Sequence, residues 1–254
     1  MSAPLLEAVD LARTFGSGAG RTTALDGVCL AVPAGRSIGI VGESGAGKTT
    51  LLRLLLGLDR PDSGTVRFRG EELRPRDRAL MRRFRREVQV VFQDPRSSLD
   101  PRMRVRDVVA EPLRSLRVPG NHRARVTELL AAVGLEPDMA ERYPAQFSGG
   151  QRQRIAIARA LAPRPSVLIA DEPVSALDVT VRQQIIALLD RLRTELGMSL
   201  VMVSHDMAVV GHLCEDVLIM RGGRHVESGP TREIFRSPQQ SYTRQLLAAV
   251  PRLP

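Results

Sequence analysis

Nine residues, GESGAGKTT from Gly42 to Thr50, constrain the fold of this chain more than any other stretch. Gly42, Gly47, Lys48 and Thr49 satisfy the spacing GxxxxGK[ST], between an apolar run, RSIGIV, and a helical pattern over Lys48 to Leu58. A glycine-rich turn between a buried strand and a helix aims successive backbone N–H groups, and the positive end of the helix, at one place. That place is a cradle for phosphate oxygens, to which Glu43, Ser44, Gly45, Ala46 and Thr50 also belong. In such a cradle the lysine bridges the β- and γ-phosphates of ATP and the threonine hydroxyl is offered to Mg²⁺. The expected class is therefore α/β.

Composition sharpens the reading of Lys48. The chain has 37 basic residues, and Lys48 is its one lysine; asparagine is equally rare, at Asn121 only, which points to a codon bias against both. A chain that uses arginine everywhere else keeps lysine where a compact ammonium must slip between phosphate oxygens. The net charge of +9 raises nucleic acid or an anionic membrane surface as a partner. Cys29 and Cys214 are too few and too far apart for a disulfide framework, so a reducing, cytoplasmic setting is expected. LLRLLLGL is broken by Arg53 and MSLVMVSHDM is short, so no apolar run reaches the length of a membrane span. MSAPLLEAVD, with two acids, lacks the layout of a signal peptide.

Alternation predicts strands over LLEAVDLARTF, GVCLAV (Val28, Leu30, Val32 inward), SGTVRFRG (Val66, Phe68 inward) and REVQVVFQD. From Pro95 to about Leu161 the pattern is helical, broken by prolines, with turns at VPGN and GLEP. Strands return at SVLIAD and SLVMVSH, on either side of a helix, TVRQQIIALLDRLRTEL, with Ile185, Leu188, Leu189, Leu192 and Leu196 on one face. A short helix, MAVVGHLC, a hairpin turning at Gly222 and Gly223, and a helical tail ending QLLAAV follow. Strands alternating with helices, interrupted by an all-helical insertion, argue for an α/β core with a helical subdomain over 95–161 within a single domain.

SVLIADEP carries Asp171 to the C-terminal edge of a strand, where open α/β sheets bind ligands, and Asp171 is expected to orient Mg²⁺. Glu172 stands where a base polarises water for attack on the γ-phosphorus. FSGGQ, Phe147 to Gln151, offers a second bare helix N-terminus with a hydroxyl. One nucleotide admits two such helix ends only from opposite sides, so Ser148, Gly149 and Gly150 are expected to serve the nucleotide of a second copy in a two-fold sandwich. The plainer alternative is a serine N-cap with glycines for a tight turn.

These motifs resemble those of the nucleotide-binding subunits of ABC transporters, over essentially the whole chain. GESGAGKTT is similar to the Walker A motif, VFQDP to the Q-loop with Gln93, FSGGQ to the signature (with Phe147 where leucine is usual), VLIADE to Walker B, SALD to the D-loop ending at Asp178, and SHD to the switch histidine, His205. Phe15 stands where an aromatic, more often tyrosine, stacks on adenine. The resemblance implies a P-loop NTPase core with a mixed sheet and N-terminal antiparallel strands, and ATP and Mg²⁺ as cofactors. It implies Glu172, His205 and Gln93 in catalysis, Thr49, Gln93 and Asp171 on the metal, and Ser148, Gly149, Gly150, Gln151 and Asp178 on nucleotide.

VFQDPRSSLDPRMRVRDVVAEPL, ADEPVSALDVTVRQQIIALL and SPQQSYTRQLLAAVP resemble the importer branch that serves dipeptides, oligopeptides, nickel and related chelates. This implies a second ATPase chain (a paralogue or the same chain), two permeases, a solute-binding protein, and a place at the cytoplasmic face of a bacterial inner membrane. His212 and Cys214 lack further ligands, and a buried helix contact is expected instead. The rival reading is a soluble ABC-type ATPase acting on nucleic acid or ribosomes, encouraged by RPRDRALMRRFRR; a basic face toward lipid headgroups accounts for the same arginines. A third reading, binding without hydrolysis, is weakened by the presence of both Glu172 and His205.

Overall fold

The computed structural model describes residues 3–248. In chain order the elements are β1 (Leu6–Phe15), β2 (Thr22–Val32), β3 (Ser37–Val41), α1 (Lys48–Leu55), β4 (Ser63–Phe68), β5 (Glu71–Glu72), α2 (Arg78–Glu87) and β6 (Val88–Val91). Then come α3 (Pro95–Ser98), α4 (Val105–Ser115), α5 (His122–Ala132), α6 (Gly149–Leu161), β7 (Val167–Asp171) and α7 (Val179–Leu196). The chain closes with β8 (Ser199–Ser204), α8 (Met207–Leu213), β9 (Asp216–Arg221), β10 (Arg224–Pro230), α9 (Thr231–Arg236) and α10 (Ser241–Ala248). They fall into two compact units, one running up to Met81 and resuming at Ser199, the other Arg82–Met198. Among the described residues no helix is long and apolar enough to cross a membrane.

The first unit holds an antiparallel sheet, β2-β1-β4-β5, and the strands β10-β9-β3-β8. β1 is the shared centre of the antiparallel sheet, with Leu6 opposite both Val32 and Phe68. β3 runs parallel to β8 and β9 and is buried at every position, as is β8, which is why both read as unbroken apolar runs without alternation. The two serines that enter these strands are satisfied: Ser199 donates to the Pro33 carbonyl at 2.8 Å, and Ser37 accepts from the Glu215 N–H at 3.0 Å.

At the end of this unit α10 is tied to β10. The Glu227 carboxylate accepts from the backbone N–H of Gln239 (2.8 Å) and Gln240 (3.2 Å) and from the Thr243 hydroxyl. Burial pushes the Glu227 carboxyl up, but these hydrogen bonds and the charge of Arg244 together outweigh it and hold it below its ordinary value. A carboxyl whose folded pKa is depressed contributes stability that is present above the ordinary carboxylate range and is lost as pH falls through it. The wild type is therefore expected to lose protection of α10 against proteolysis as pH drops below about 4.3, while Glu227→Gln is less protected at neutral pH and shows little of this pH dependence. Limited proteolysis across pH checks it.

In the second unit β6 and β7 pair in parallel, Val88 with Val167 through Val91 with Ala170. The helices α3 to α6 follow one another without a strand. α6 is central among them, with Ile155, Ala156, Ile157, Ala158 and Leu161 buried. α7 buries Ile185, Leu188, Leu189 and Leu192, each worth roughly 1.5–3 kcal/mol removed from water.

Several local expectations change. Leu196 is 50% exposed and not on the buried face of α7, because the helix ends there on Gly197 in a left-handed cap. The strand expected to begin at Arg86 begins at Val88, because α2 precedes it: Leu80, Met81 and Phe84 recur at helical spacing and are buried, so part of the arginine run is the outer face of a helix. α1 stops at Leu55 rather than Leu58. Pro112 lies inside α4 without ending it, and α9 and β5 are additional elements. Cys214 is buried at the end of α8, whereas His212 is exposed. Of the expected QLLAAV helix, Ala249 and Val250 lie outside the described residues, as do the first two residues of MSAPLLEAVD.

Candidate functional site

The phosphate loop leaves the end of β3 and enters α1 through Gly47, whose φ of 97° is left-handed. A Cβ there would sit 2.5 Å from the Ala24 carbonyl oxygen, so glycine is required on both conformational and steric grounds. Lys48 is buried and its Nζ donates to the carbonyls of Gly42 (2.5 Å) and Glu43 (2.9 Å), which folds the ammonium across the loop. The Ala46 carbonyl accepts from the Gly223 N–H at 3.1 Å, so the β9–β10 turn braces the loop, while the Ala46 N–H is spent on the Glu43 carbonyl. Ser44, Gly45 and Thr49 are exposed and Thr50 is half-buried. The Thr49 hydroxyl makes no hydrogen bond among the described residues.

The parallel register pairs Val41 with Ser204, so His205 leaves β8 beside the point where Gly42 leaves β3. His205 is exposed, and Asp206 behind it caps α8 through the N–H groups of Ala208 and Val209. Phe15, at the end of β1, is 42% exposed. The Arg13 guanidinium lies 4.9 Å from its ring centre and is itself clamped by Asp62 (2.8 Å) and Asp59 (3.1 Å). The Thr14 N–H first, and Arg13 second, hold the Asp62 carboxyl below the usual carboxylate range. No sequence motif singles out Arg13; only the fold of β1 against the turn carrying Asp59 and Asp62 does. A cation on one face of Phe15 leaves the other for a second π-system, and Arg13→Ala is expected to weaken ATP binding about 2- to 5-fold with GTP affected similarly, measured by nucleotide titration.

In the second unit the β6–β7 register pairs Val91 with Ala170, so Gln93 and the pair Asp171 and Glu172 leave their strands at the same edge. Gln93 is exposed and its amide has no hydrogen-bond partner among the described residues; Asp171 and Glu172 are half-buried. Glu172 has φ of 44°, a left-handed conformation that costs a non-glycine residue on the order of 1–3 kcal/mol and tends to persist at functional sites. Its carbonyl accepts from both the N–H and the hydroxyl of Ser175.

Ser148 opens α6 with a reciprocal cap: its hydroxyl accepts from the Gln151 N–H (3.2 Å), and the Gln151 side chain accepts from the Ser148 N–H (3.0 Å). Asp178 likewise caps α7 through Val181 N–H. The two glycines of FSGGQ differ. Gly150 is demanded by packing, since a Cβ would meet Val181 Cγ1 at 2.4 Å. Gly149 is exposed, and its Cβ would find only Leu177 at 3.6 Å, an ordinary contact. The fold alone therefore accounts for Gly150 and not for Gly149.

Comparison with known proteins adds the family. Residues 25–175 match the family model described as ABC transporter. The oligopeptide transport ATP-binding protein OppD of Mycobacterium tuberculosis is 51% identical over 233 residues, 91% of this chain. The chain spans only 38% of that relative's length. The dipeptide transport ATP-binding protein DppF of Escherichia coli is 44% identical over 258 residues, covering 98% of this chain and 77% of the relative. Among solved structures, the dimeric post-hydrolysis state of the cassette MJ0796 bound to ADP and Pi superposes with a TM-score of 0.80 at 32% identity, over 89% of this chain and 99% of that one. CbiO1 of Clostridium perfringens, part of the transporter complex cbiONQ, gives 0.80 at 28% identity, over 98% and 97% of the two chains. With a phosphate loop and a histidine at the ends of one pair of parallel strands, an acidic pair and a glutamine at the ends of another such pair, and these matches across most of its length, the chain belongs to the ABC transporter family.

Proposed function

We propose that this chain is the ATP-hydrolysing subunit of a peptide importer. It works as one half of a head-to-tail pair, with itself or a paralogue, beneath two permeases at the cytoplasmic face of a bacterial inner membrane, fed by a solute-binding protein. OppD and DppF are named for oligopeptide and dipeptide transport, and cargo of that class is proposed here. Nickel or other chelates rest on the resemblance of the sequence alone. Relatives named as transport proteins do not favour action on nucleic acid.

The loop Gly42–Thr50 binds the phosphates through its N–H groups and Lys48, and Phe15 stacks on the adenine. Thr49, Gln93 and Asp171 are hard oxygen donors of the kind Mg²⁺ takes, and Thr49 and Gln93 spend no side-chain hydrogen bond elsewhere among the described residues. Bound by them, Mg²⁺ would neutralise charge on the β- and γ-phosphates. Glu172 accepts the proton of the attacking water, and His205 holds the γ-phosphate end. Ser148, Gly149, Gly150, Gln151 and Asp178 serve the partner's nucleotide. The helices of 95–161 act as a subdomain that transmits closure through the Gln93 region to the permeases, and hydrolysis resets them.

The observation that carries this reading is the phosphate loop, held by left-handed Gly47 and by Lys48 folded onto it. The half supplied across the pair is tested at Gly149. Gly149→Glu places a carboxylate on an exposed first turn that has room for it. Thermal stability and nucleotide binding are expected to stay near wild type, while turnover falls about 10-fold or more as like charges meet in the closed pair. Unchanged turnover would rule out the sandwich.

A further inference from the structure

The phosphate loop is held at a point that neither the motif nor the proposed chemistry explains. The Glu43 N–H donates to the phenolic oxygen of Tyr242 at 3.2 Å, while the Glu43 carbonyl accepts from Lys48 Nζ at 2.9 Å. One residue of the loop is thus gripped at its N–H by the C-terminal helix and at its carbonyl by the phosphate-binding lysine. Tyr242 is 3% exposed, and the Arg221 guanidinium lies 4.7 Å from its ring centre. Its helix, α10, is fastened independently: Thr243, fully buried, donates to Glu227 of β10, and Glu227 also collects the N–H groups of Gln239 and Gln240. The path from β10 through α10 to Glu43 is therefore continuous and hydrogen-bonded, with Glu227, Tyr242 and Thr243 buried along it.

We propose that Tyr242 is a positioning residue for nucleotide binding: its hydroxyl fixes the Glu43 peptide, and with it the direction of the loop's N–H groups and the carbonyl that Lys48 leaves when it turns to phosphate. The segment 239–243 then works as a brace that couples the state of the C-terminal helix to the affinity of the loop for ATP. The inference rests on the proposed nucleotide reading of the loop. It extends that reading to a part of the chain nearly two hundred residues away in sequence.

Tyr242→Phe removes the hydroxyl and keeps the ring against Arg221. A neutral hydrogen bond to a part-buried N–H corresponds to an affinity change of about 2- to 10-fold. The expected result is a rise of that size in the KM for ATP and in the dissociation constant of a fluorescent ATP analogue. kcat should stay near wild type, and hydrogen exchange at Glu43 should quicken in the nucleotide-free chain. A role confined to stability would instead lower the melting temperature and the active fraction at unchanged KM, which would overturn the proposal. Thr243→Val, which loosens α10 from Glu227 and leaves the hydroxyl in place, is expected to raise KM in the same direction; unchanged KM in both variants overturns the coupling. A wild-type chain that binds no nucleotide overturns the reading of the loop, and the inference with it, an outcome distinct from a wild type that binds and variants that bind equally well.

Discussion

Replacing Glu172 by glutamine is expected to lower ATP turnover at least about 100-fold while leaving nucleotide binding nearly unchanged, because a positioned general base contributes on the order of 10²–10⁴ in rate. The amide matches the carboxylate in size and can still hydrogen-bond, so the left-handed backbone at this position is retained; what it loses is the capacity to take a proton from water. In the proposed function, binding rests on a different set of residues, the loop of Gly42–Thr50 and Phe15. With binding intact and the chemical step blocked, ATP accumulates on the protein. The solution mass by light scattering is then expected to rise from one chain to two on adding MgATP. Turnover within about 3-fold of wild type would remove Glu172 from its role. Tight binding of MgATP by a chain that stays single would point to a different ATPase chain as the partner.

The second large effect is expected from one methyl group. Gly47→Ala must either hold alanine at φ near 97°, or shift the loop, and in the native conformation the new Cβ lies 2.5 Å from the Ala24 carbonyl and 3.0 Å from Leu25 Cδ2. The backbone strain is of order 1–3 kcal/mol, and overpacking against a carbonyl that cannot yield adds a comparable amount. If the loop moves instead, α1 loses the residue that opens it and Lys48 leaves its position over Gly42 and Glu43. Both routes end in weak nucleotide binding. The expected readout is a drop in melting temperature of several degrees together with loss of ATP affinity of 10-fold or more. Gly45→Ala is the contrast: Gly45 is exposed and a Cβ there meets no atom within 4 Å, so its cost is limited to the strain of its positive φ.

Much of this was legible from the residues. GxxxxGK[ST] between an apolar run and a helix specifies a strand, a cradle and a helix, because the cradle works only if the N–H groups converge and the helix end faces the same way. The unbroken apolar runs RSIGIV and SLVMVSH identified strands covered on both faces, and Val28, Leu30 and Val32 identified one inward face of β2. These are local properties, in which each residue's neighbours in sequence are also its neighbours in the structure.

What the sequence could not disclose depends on residues far apart in the chain. The register of β3 with β8 puts His205 beside Gly42, and that of β6 with β7 brings Gln93 and Asp171 to the same strand ends, each across more than seventy residues. FSGGQ reads as one motif, yet packing against Val181 separates a glycine the helices need from one they do not. Arginines dominate RPRDRALMRRFRR so heavily that the buried Leu80, Met81 and Phe84 of α2 were hidden among them, and Leu196 kept the spacing of α7 but fell at its exposed last residue. Arg13 behind Phe15 and Tyr242 behind Glu43 belong to no motif. The sequence alone determined which chemistry the chain carries, because motifs encode local backbone geometry; only the tertiary structure decided which distant side chains hold that geometry in place, because hydrogen bonds and packing act through space.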